Sequence, residues 1–246
     1  MAFKKTFTRT KPRTRWLDTY LLRSKADTLT TFKTYKTMIK LQSNKSIKIL
    51  KSDNGSEYTN TLFKDYIKKT GIIQQFSAPY TAQQNGLAER INYTLLTTVR
   101  AILYESFIPK ILWTEILLAV TYIYNRTPHS FLGFKTPYKA RYNTKPDISN
   151  IRLLGSTAYY KEPRTTKLQE KGNLSILIGF NKNQYKVYIP STKRTIWTRD
   201  YTILEGKYYY KDLGKDTTQD DYNIPTQLDP ITTTDCWKDT RGIGVP

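Results

Sequence analysis

The chain has 246 residues, of which 38% are hydrophobic and 20 are tyrosine, with a mean hydropathy of −0.59; that is enough apolar material for a medium domain and a small one, and too aromatic for a disordered polymer. A net charge of +20 and a pI of about 9.8 call for a polyanionic partner, nucleic acid first and an acidic membrane surface second, but no segment has the length of a membrane-spanning helix and the N-terminus has no apolar signal core. A single cysteine, Cys236, and a single histidine, His129, exclude a disulfide framework and a His/Cys zinc site, so the chain reads as a non-secreted protein whose metal chemistry has to rest on carboxylates, the ligands of Mg2+ or Mn2+.

Residues 1–15 are basic without a clear period and read as a poorly ordered arm. A strand is predicted over 16–22. Leu29, Phe32, Tyr35 and Ile39 then recur at three- and four-residue steps, which predicts a helix over 26–42. Residues 46–51 alternate Ile and Lys and predict a strand that delivers Asp53 at its C-terminal end, followed by the turn pair Asn54-Gly55. A short helix over 60–69 stops at Gly71, a strand follows over 72–76, and a loop containing Gln84, Asn85 and Gly86 leads into a helix over about 87–105 with Leu95, Leu96, Val99, Ile102 and Leu103 on one face. A second apolar helix covers 110–125, with Trp113 expected in its core. Helices interleaved with short strands indicate an α/β layer architecture.

Beyond Pro146 the pattern changes to strands over 151–160, 174–180, 184–189 and 194–204, with Tyr185–Ile189, the turn 190–193 and Thr195–Thr198 forming a hairpin. Residues 207–246 are rich in Asp, Thr, Gly and Pro and are expected to be mostly loop. Charge is uneven: residues 1–52 hold 14 basic and 2 acidic side chains, 53–206 hold 21 and 11, and 207–246 hold 5 and 7. The acidic end is therefore a poor nucleic-acid surface. The better candidates are Lys4, Lys5, Arg9, Lys11, Arg13 and Arg15 in the arm, together with Arg90, although a basic run is as often a solvated face.

Thirty-five residues separate Asp53, at a strand end, from Glu89, in the first turn of a predicted helix. Taken singly, an Asp before Asn-Gly serves a turn and a Glu at a helix start serves the dipole. The surrounding words change the balance. Ser52-Asp53-Asn54-Gly55-Ser56-Glu57-Tyr58, the run Ala78 to Arg90, Asn125-Arg126-Thr127-Pro128 and Lys135-Thr136-Pro137-Tyr138 together resemble the integrase core of Copia-type (Ty1/copia) retrotransposon polyproteins. Residues 151–206 resemble the small SH3-like barrel that follows that core, through Leu154-Gly155-Ser156-Thr157-Ala158-Tyr159 and Ile178-Gly179-Phe180.

The resemblance implies an α/β, ribonuclease H-like integrase core over 16–145, an all-β SH3-like domain over 151–206, and an active site of Asp, Asp and Glu on two divalent ions. Asp53 matches the second Asp and Glu89 the Glu, so both are the expected catalytic and Mg2+ or Mn2+ ligands. Asn54, Gly55, Gln84, Asn85 and Gly86 match the active-site loops. The first Asp has no match: Thr14 to Lys25 already resembles the family's third strand, so the core is expected to be incomplete, metal binding weak or lost, and the chain inactive alone. Asp18 and Asp27 are expected to be structural. Ser56 stands where Gly is usual and Ser156 where Cys is usual, the second being a size swap of little consequence. The implied function is DNA integration by metal-dependent strand transfer, with DNA as partner and RNA as a second polyanion, a nuclear location, and assembly as a homo-oligomer. The alternatives are a non-enzymatic nucleic-acid-binding remnant and a module completed by an upstream polypeptide.

Overall fold

A computed structural model of the chain describes residues 5–10, 13–44, 46–52, 54–76, 82–161, 172–214 and 230–231. Two compact units partition it: residues 1–92 with 228–246, and residues 93–227. The division falls inside a helix, well before the change to all-β sequence after Pro146.

In the first unit, β1 (Lys5–Thr10) pairs antiparallel with β2 (Leu17–Leu22), Lys5 opposite Leu22 and Thr10 opposite Leu17. The arm expected over 1–15 therefore contributes a strand. Its sequence, KTFTRT, has no apolar alternation to announce it, and pairing on both sides supplies what periodicity does not: β10 (Pro230–Ile231) lies parallel on its other edge. That two-residue strand lies in the stretch expected to be mostly loop, and Pro230 is tolerated there because so short an edge strand needs few ladder donors.

Helix α1 (Thr28–Ser43) buries the face read from its period: Phe32, Tyr35 and Ile39 are at most 1% exposed, with Leu29 packed beside them. Asp27 closes its entry by accepting the Ser24 amide at 2.9 Å, and Asn44, left-handed at φ 50°, ends it. The core continues through Leu50 of β3 (Ile49–Ser52), Tyr58 of α2 (Ser56–Thr59), and Phe63 and Ile67 of α3 (Thr61–Lys69). Phe32, Phe63 and Tyr58 pack ring on ring at centroid distances of 5.6 and 5.4 Å. Each such aromatic contributes about 2–3 kcal/mol through its burial. Asn60 Oδ1 caps α3 by accepting the Phe63 amide at 2.8 Å, and Gly71 turns the chain at φ 67°. β4 (Ile73–Phe76) then pairs parallel with β3, Ser52 opposite Phe76.

Helix α4 (Ala82–Ser106) starts in the first unit and enters the second after Asn92. In the second unit its Leu95, Leu96, Val99 and Leu103 are buried, as are Trp113, Ile116, Leu117 and Val120 of α5 (Trp113–Tyr124). The short helix α6 (Pro137–Tyr142) is capped by Thr136, whose hydroxyl accepts the Lys139 amide at 3.0 Å.

An antiparallel sheet follows, ordered β8-β7-β6-β5-β9 from β5 (Thr157–Tyr160), β6 (Asn173–Phe180), β7 (Tyr185–Ile189), β8 (Arg194–Thr198) and β9 (Tyr201–Leu204). The predicted hairpin is present, with Tyr185 opposite Thr198 and Ile189 opposite Arg194. The single strand expected over 194–204 is two, broken at Arg199-Asp200. They occupy opposite edges of the sheet although only those two residues separate them. A flat five-stranded sheet has edges about 19 Å apart, farther than three residue steps reach, so the sheet must curl on itself. Ala158, Tyr160, Val187 and Ile189 fill the interior, with Ile196 and Ile203 against them. A short helix α7 (Tyr209–Asp212) follows β9.

The Ser156 side chain is fully buried, and its hydroxyl accepts the Gly206 amide at 3.3 Å, so it is more than a size match for Cys. Tyr185 donates its hydroxyl to the Asn150 carbonyl at 2.9 Å. Burial first, and then the Tyr201 phenol whose ring packs 4.1 Å away, push its phenol up to about 12 from an ordinary value of 10.0. A phenol that resists ionisation when folded stabilises the fold fully below pH 10 and loses that contribution as pH rises through 12. The unfolding free energy should accordingly fall on alkaline titration across pH 10–12, and a Tyr185→Phe chain, followed by denaturant melts, should show a shallower decline there. Among the described residues, no helix is long and apolar enough to cross a membrane.

Candidate active site and nucleic-acid interface

β3 and β4 run parallel, so their C-terminal ends share one edge, the side on which open α/β sheets present their chemistry. From that edge one connection starts at Ser52, which is buried, and the other at Phe76. Asp53, the next residue after Ser52, lies outside the described residues. Asn54 is exposed, and Gly55 precedes α2 at φ −56° and ψ 142°. Ser56 is the first residue of α2 and does not adopt a positive φ, so the usual Gly at that position is not required by this backbone.

Glu89 is exposed on α4. Because that helix begins at Ala82 and not near residue 87, Glu89 is its eighth residue, about two turns in. The expected first-turn position, and with it the support of the helix dipole, does not hold, since that field fades beyond the first turn. Gln84, Asn85 and Gly86, expected in a loop, have helical backbone for the same reason. Asn85-Gly86 costs such a helix on the order of 1–2 kcal/mol, which a 25-residue element whose second half buries one face absorbs. Glu89 offers an exposed carboxylate of the oxygen-donor type that hard divalent ions take. Among the described residues no three His, Cys, Asp or Glu side chains cluster as metal ligands would.

The predicted basic residues are distributed differently. Lys5 and Arg9 are in β1, with Arg9 opposite Asp18, whereas Lys4 and Lys11 lie outside the described residues. Arg13 is exposed in the β1–β2 turn, and Arg15 is half-buried at φ 54°. Arg90 is exposed beside Glu89. Asp18 and Asp27 have structural partners: Asp18 Oδ1 accepts Trp16 Nε1 at 2.8 Å, and Asp27 holds the amides of Arg23 and Ser24. His129 packs on Tyr124 at 4.5 Å in the loop after α5, as a structural loop residue would.

The residue that sequence reasoning passed over is Glu57. It sits four positions beyond Asp53, its side chain is 4% exposed, and its carboxylate meets Lys25 Nζ at 3.1 Å. Gln74 of β4 reinforces the same neighbourhood, donating to Ser52 Oγ at 3.4 Å and to the Tyr58 carbonyl at 3.1 Å. Thus the segment flanking Asp53 is tied to the start of α1 by an ion pair and to β4 by an amide.

Known proteins resemble this chain in the same two regions. Residues 3–82 match the integrase core domain family, which takes in the stretch expected to be a free arm, and residues 156–217 match the retroviral polymerase SH3-like domain family. Over 192 residues the chain is 31% identical to the retrovirus-related Pol polyprotein from transposon TNT 1-94 of Nicotiana tabacum, covering 76% of this chain and 14% of that one. It is 28% identical over 173 residues to the corresponding polyprotein from transposon RE1 of Arabidopsis thaliana, covering 70% and 12%. With a Transposon Ty1 Gag-Pol polyprotein of Saccharomyces cerevisiae it shares 30% identity over 207 residues, covering 82% and 12%. The chain thus spans no more than 14% of the length of these relatives. A solved structure of a simian T-cell lymphotropic virus intasome, in complex with a PP2A regulatory subunit, aligns with a TM-score of 0.42 and 14% identity over 77% of this chain and 68% of that one. The chain therefore joins an integrase core segment to a retroviral polymerase SH3-like domain, and its homologues are the Ty1/copia-type Pol polyproteins of plant and yeast transposons.

Proposed function

We propose that this is a retrotransposon integrase-derived protein of DNA integration, in which Asp53 and Glu89 are two carboxylates of a metal-dependent strand-transfer site that these 246 residues alone do not complete. The observation that carries the reading is the 35-residue separation of Asp53 and Glu89 within a chain that combines an integrase core match with an SH3-like domain. When bound, Mg2+ or Mn2+ would polarise the phosphate and activate the attacking oxygen. The chain's own part is to supply two carboxylates, Asp53 directly after β3 in sequence and Glu89 exposed on α4. Two carboxylates without a third hold such an ion weakly. The net charge of +20 supports DNA as the polyanionic partner. By the same family reasoning the protein acts in the nucleus as a homo-oligomer.

The test incubates the full chain with labelled DNA ends and Mn2+, measuring binding and end-processing together. Binding whose logarithm falls linearly with log salt, without processing, is the expected result. Robust processing would overturn the incomplete site, and absence of DNA binding at low salt would overturn the nucleic-acid reading. Asp53→Asn and Glu89→Gln chains should retain DNA affinity while losing whatever Mn2+ binding the parent has.

A further inference from the structure

The words Asn125-Arg126-Thr127-Pro128 and Lys135-Thr136-Pro137-Tyr138 were informative as ancestry, and the structure gives them a common place. They form the two sides of one loop between α5 and α6, within the second unit. His129 and Lys135 form a β-bridge across its base, the His129 amide donating to the Lys135 carbonyl at 3.2 Å. The Tyr138 amide reaches the Asn125 carbonyl at 2.8 Å. The Arg126 guanidinium lies 3.3 Å from the ring centroid of Tyr122 and 5.1 Å from that of Tyr138, and donates to the Tyr122 carbonyl.

This fixed base carries an unusual tip. Phe131 and Phe134 are 67% and 77% exposed. Phe134 is held at φ 59°, directly after Gly133 at the same angle. A left-handed conformation is costly for a bulky residue and persists only where the surroundings impose it. Here five backbone hydrogen bonds within residues 129–135 do so. The backbone thus holds two large rings in solvent where a smaller, polar residue would be the cheaper choice.

The charge around the tip indicates what the rings meet. Residues 126–145 contain Arg126, Lys135, Lys139, Arg141 and Lys145 and no Asp or Glu; the first acidic residue beyond them, Asp147, acts on Arg126 at the base of the loop, so the balance there stays strongly basic. Flat apolar rings displayed in a predominantly basic surrounding suit a ligand that is polyanionic and carries stackable faces. An acidic protein surface offers the charge without the faces. A duplex offers phosphates but keeps its bases stacked inside.

We propose that the α5–α6 loop is a stacking platform for an unpaired nucleic-acid strand, with Phe131 and Phe134 taking bases and Lys135, Lys139 and Arg141 the phosphates. The site rests on the nucleic-acid reading above and adds to it a location and a preference for unpaired nucleotides. Its test compares the full-length parent with a Phe131→Ser/Phe134→Asn chain, since Asn tolerates the left-handed backbone at 134. Fluorescence anisotropy would be recorded with a short single-stranded DNA, the RNA of the same sequence, and the DNA duplex.

Loss of both rings should weaken single-strand binding about a hundredfold, the scale of two lost base–aromatic stacks, and leave duplex binding and the thermal melt unchanged. A difference between the DNA and RNA arms identifies which strand the loop prefers. If the variant binds single strands as the parent does, or loses duplex binding equally, the platform is overturned while the nucleic-acid reading stands. If the parent binds none of the three at low salt, both fall.

Discussion

A Gly155→Ala chain is expected to unfold roughly 10 °C below the parent, through a defect that lies wholly within the second unit. Gly155 adopts φ +85°, and a Cβ built there would lie 2.4 Å from Ser106 Cβ and 2.7 Å from Ser106 Oγ. Neither neighbour can give way. Ser106 is the last residue of α4, 1% exposed, and its hydroxyl is engaged with the Ile102 carbonyl at 2.6 Å. Nor can Gly155 retreat, because its amide donates to the Leu177 carbonyl at 2.7 Å and the following Ser156 carbonyl accepts from the Leu177 amide at 2.9 Å. The left-handed backbone costs an L-residue about 1–2 kcal/mol and overpacking about 1–3 kcal/mol more, so a total near 3 kcal/mol is expected. For a unit of this size each kcal/mol lowers the melting temperature by about 2–4 °C. A Ser106→Gly partner change should restore the steric part and leave the backbone part, so circular-dichroism melts of the four chains would show strong positive coupling. Additive losses in that cycle would mean that the α4 end and the Leu154–Thr157 turn are not packed as described.

The same position shows what could be read in advance. Leu154-Gly155-Ser156-Thr157 was recognisable as a family word, but the reason for its glycine is a contact with a residue 49 positions earlier, which no local pattern encodes. Features that depend on one period were legible: the Phe32, Tyr35 and Ile39 face of α1, the stop at Gly71, and the Tyr185–Thr198 hairpin. Features that depend on distant pairing were not. β1 has a polar sequence and exists through β2 and β10; the Arg199-Asp200 break matters because the sheet curls; and the start of α4 was hidden by Asn85-Gly86, a turn word that the long helix overrides. Of the candidate site, residue identities and spacing came from the sequence alone. The position of Glu89 two turns into its helix came from the structure, as did the Lys25–Glu57 ion pair.

Replacing Lys25 with Met should destabilise the first unit by about 1–3 kcal/mol, and removing Glu57 as well should return most of it. Glu57 is 4% exposed in its side chain, too deep for water to solvate its carboxylate fully, and Lys25 faces it at 3.1 Å. Exposed ion pairs contribute little because solvent replaces the partner, and Lys25 itself is 45% exposed, which holds the expected cost below that of a wholly buried pair. The asymmetry is the informative part. Lys25→Met strands a charge that desolvation has already penalised, whereas Lys25→Met/Glu57→Gln leaves an amide that costs far less to bury. Because Glu57 lies in α2, four residues after Asp53, the effect should also be local. Amide hydrogen exchange at Tyr58 and Thr59, whose amides both bond the Gly55 carbonyl, should accelerate in the single variant and slow again in the double one. Unchanged exchange with an unchanged melt would show that the ion pair is incidental and that Gln74 alone fixes this segment. Acceleration confined to α2 would make Lys25, 28 positions upstream of Asp53 in sequence, a positioning residue for the carboxylate end of β3.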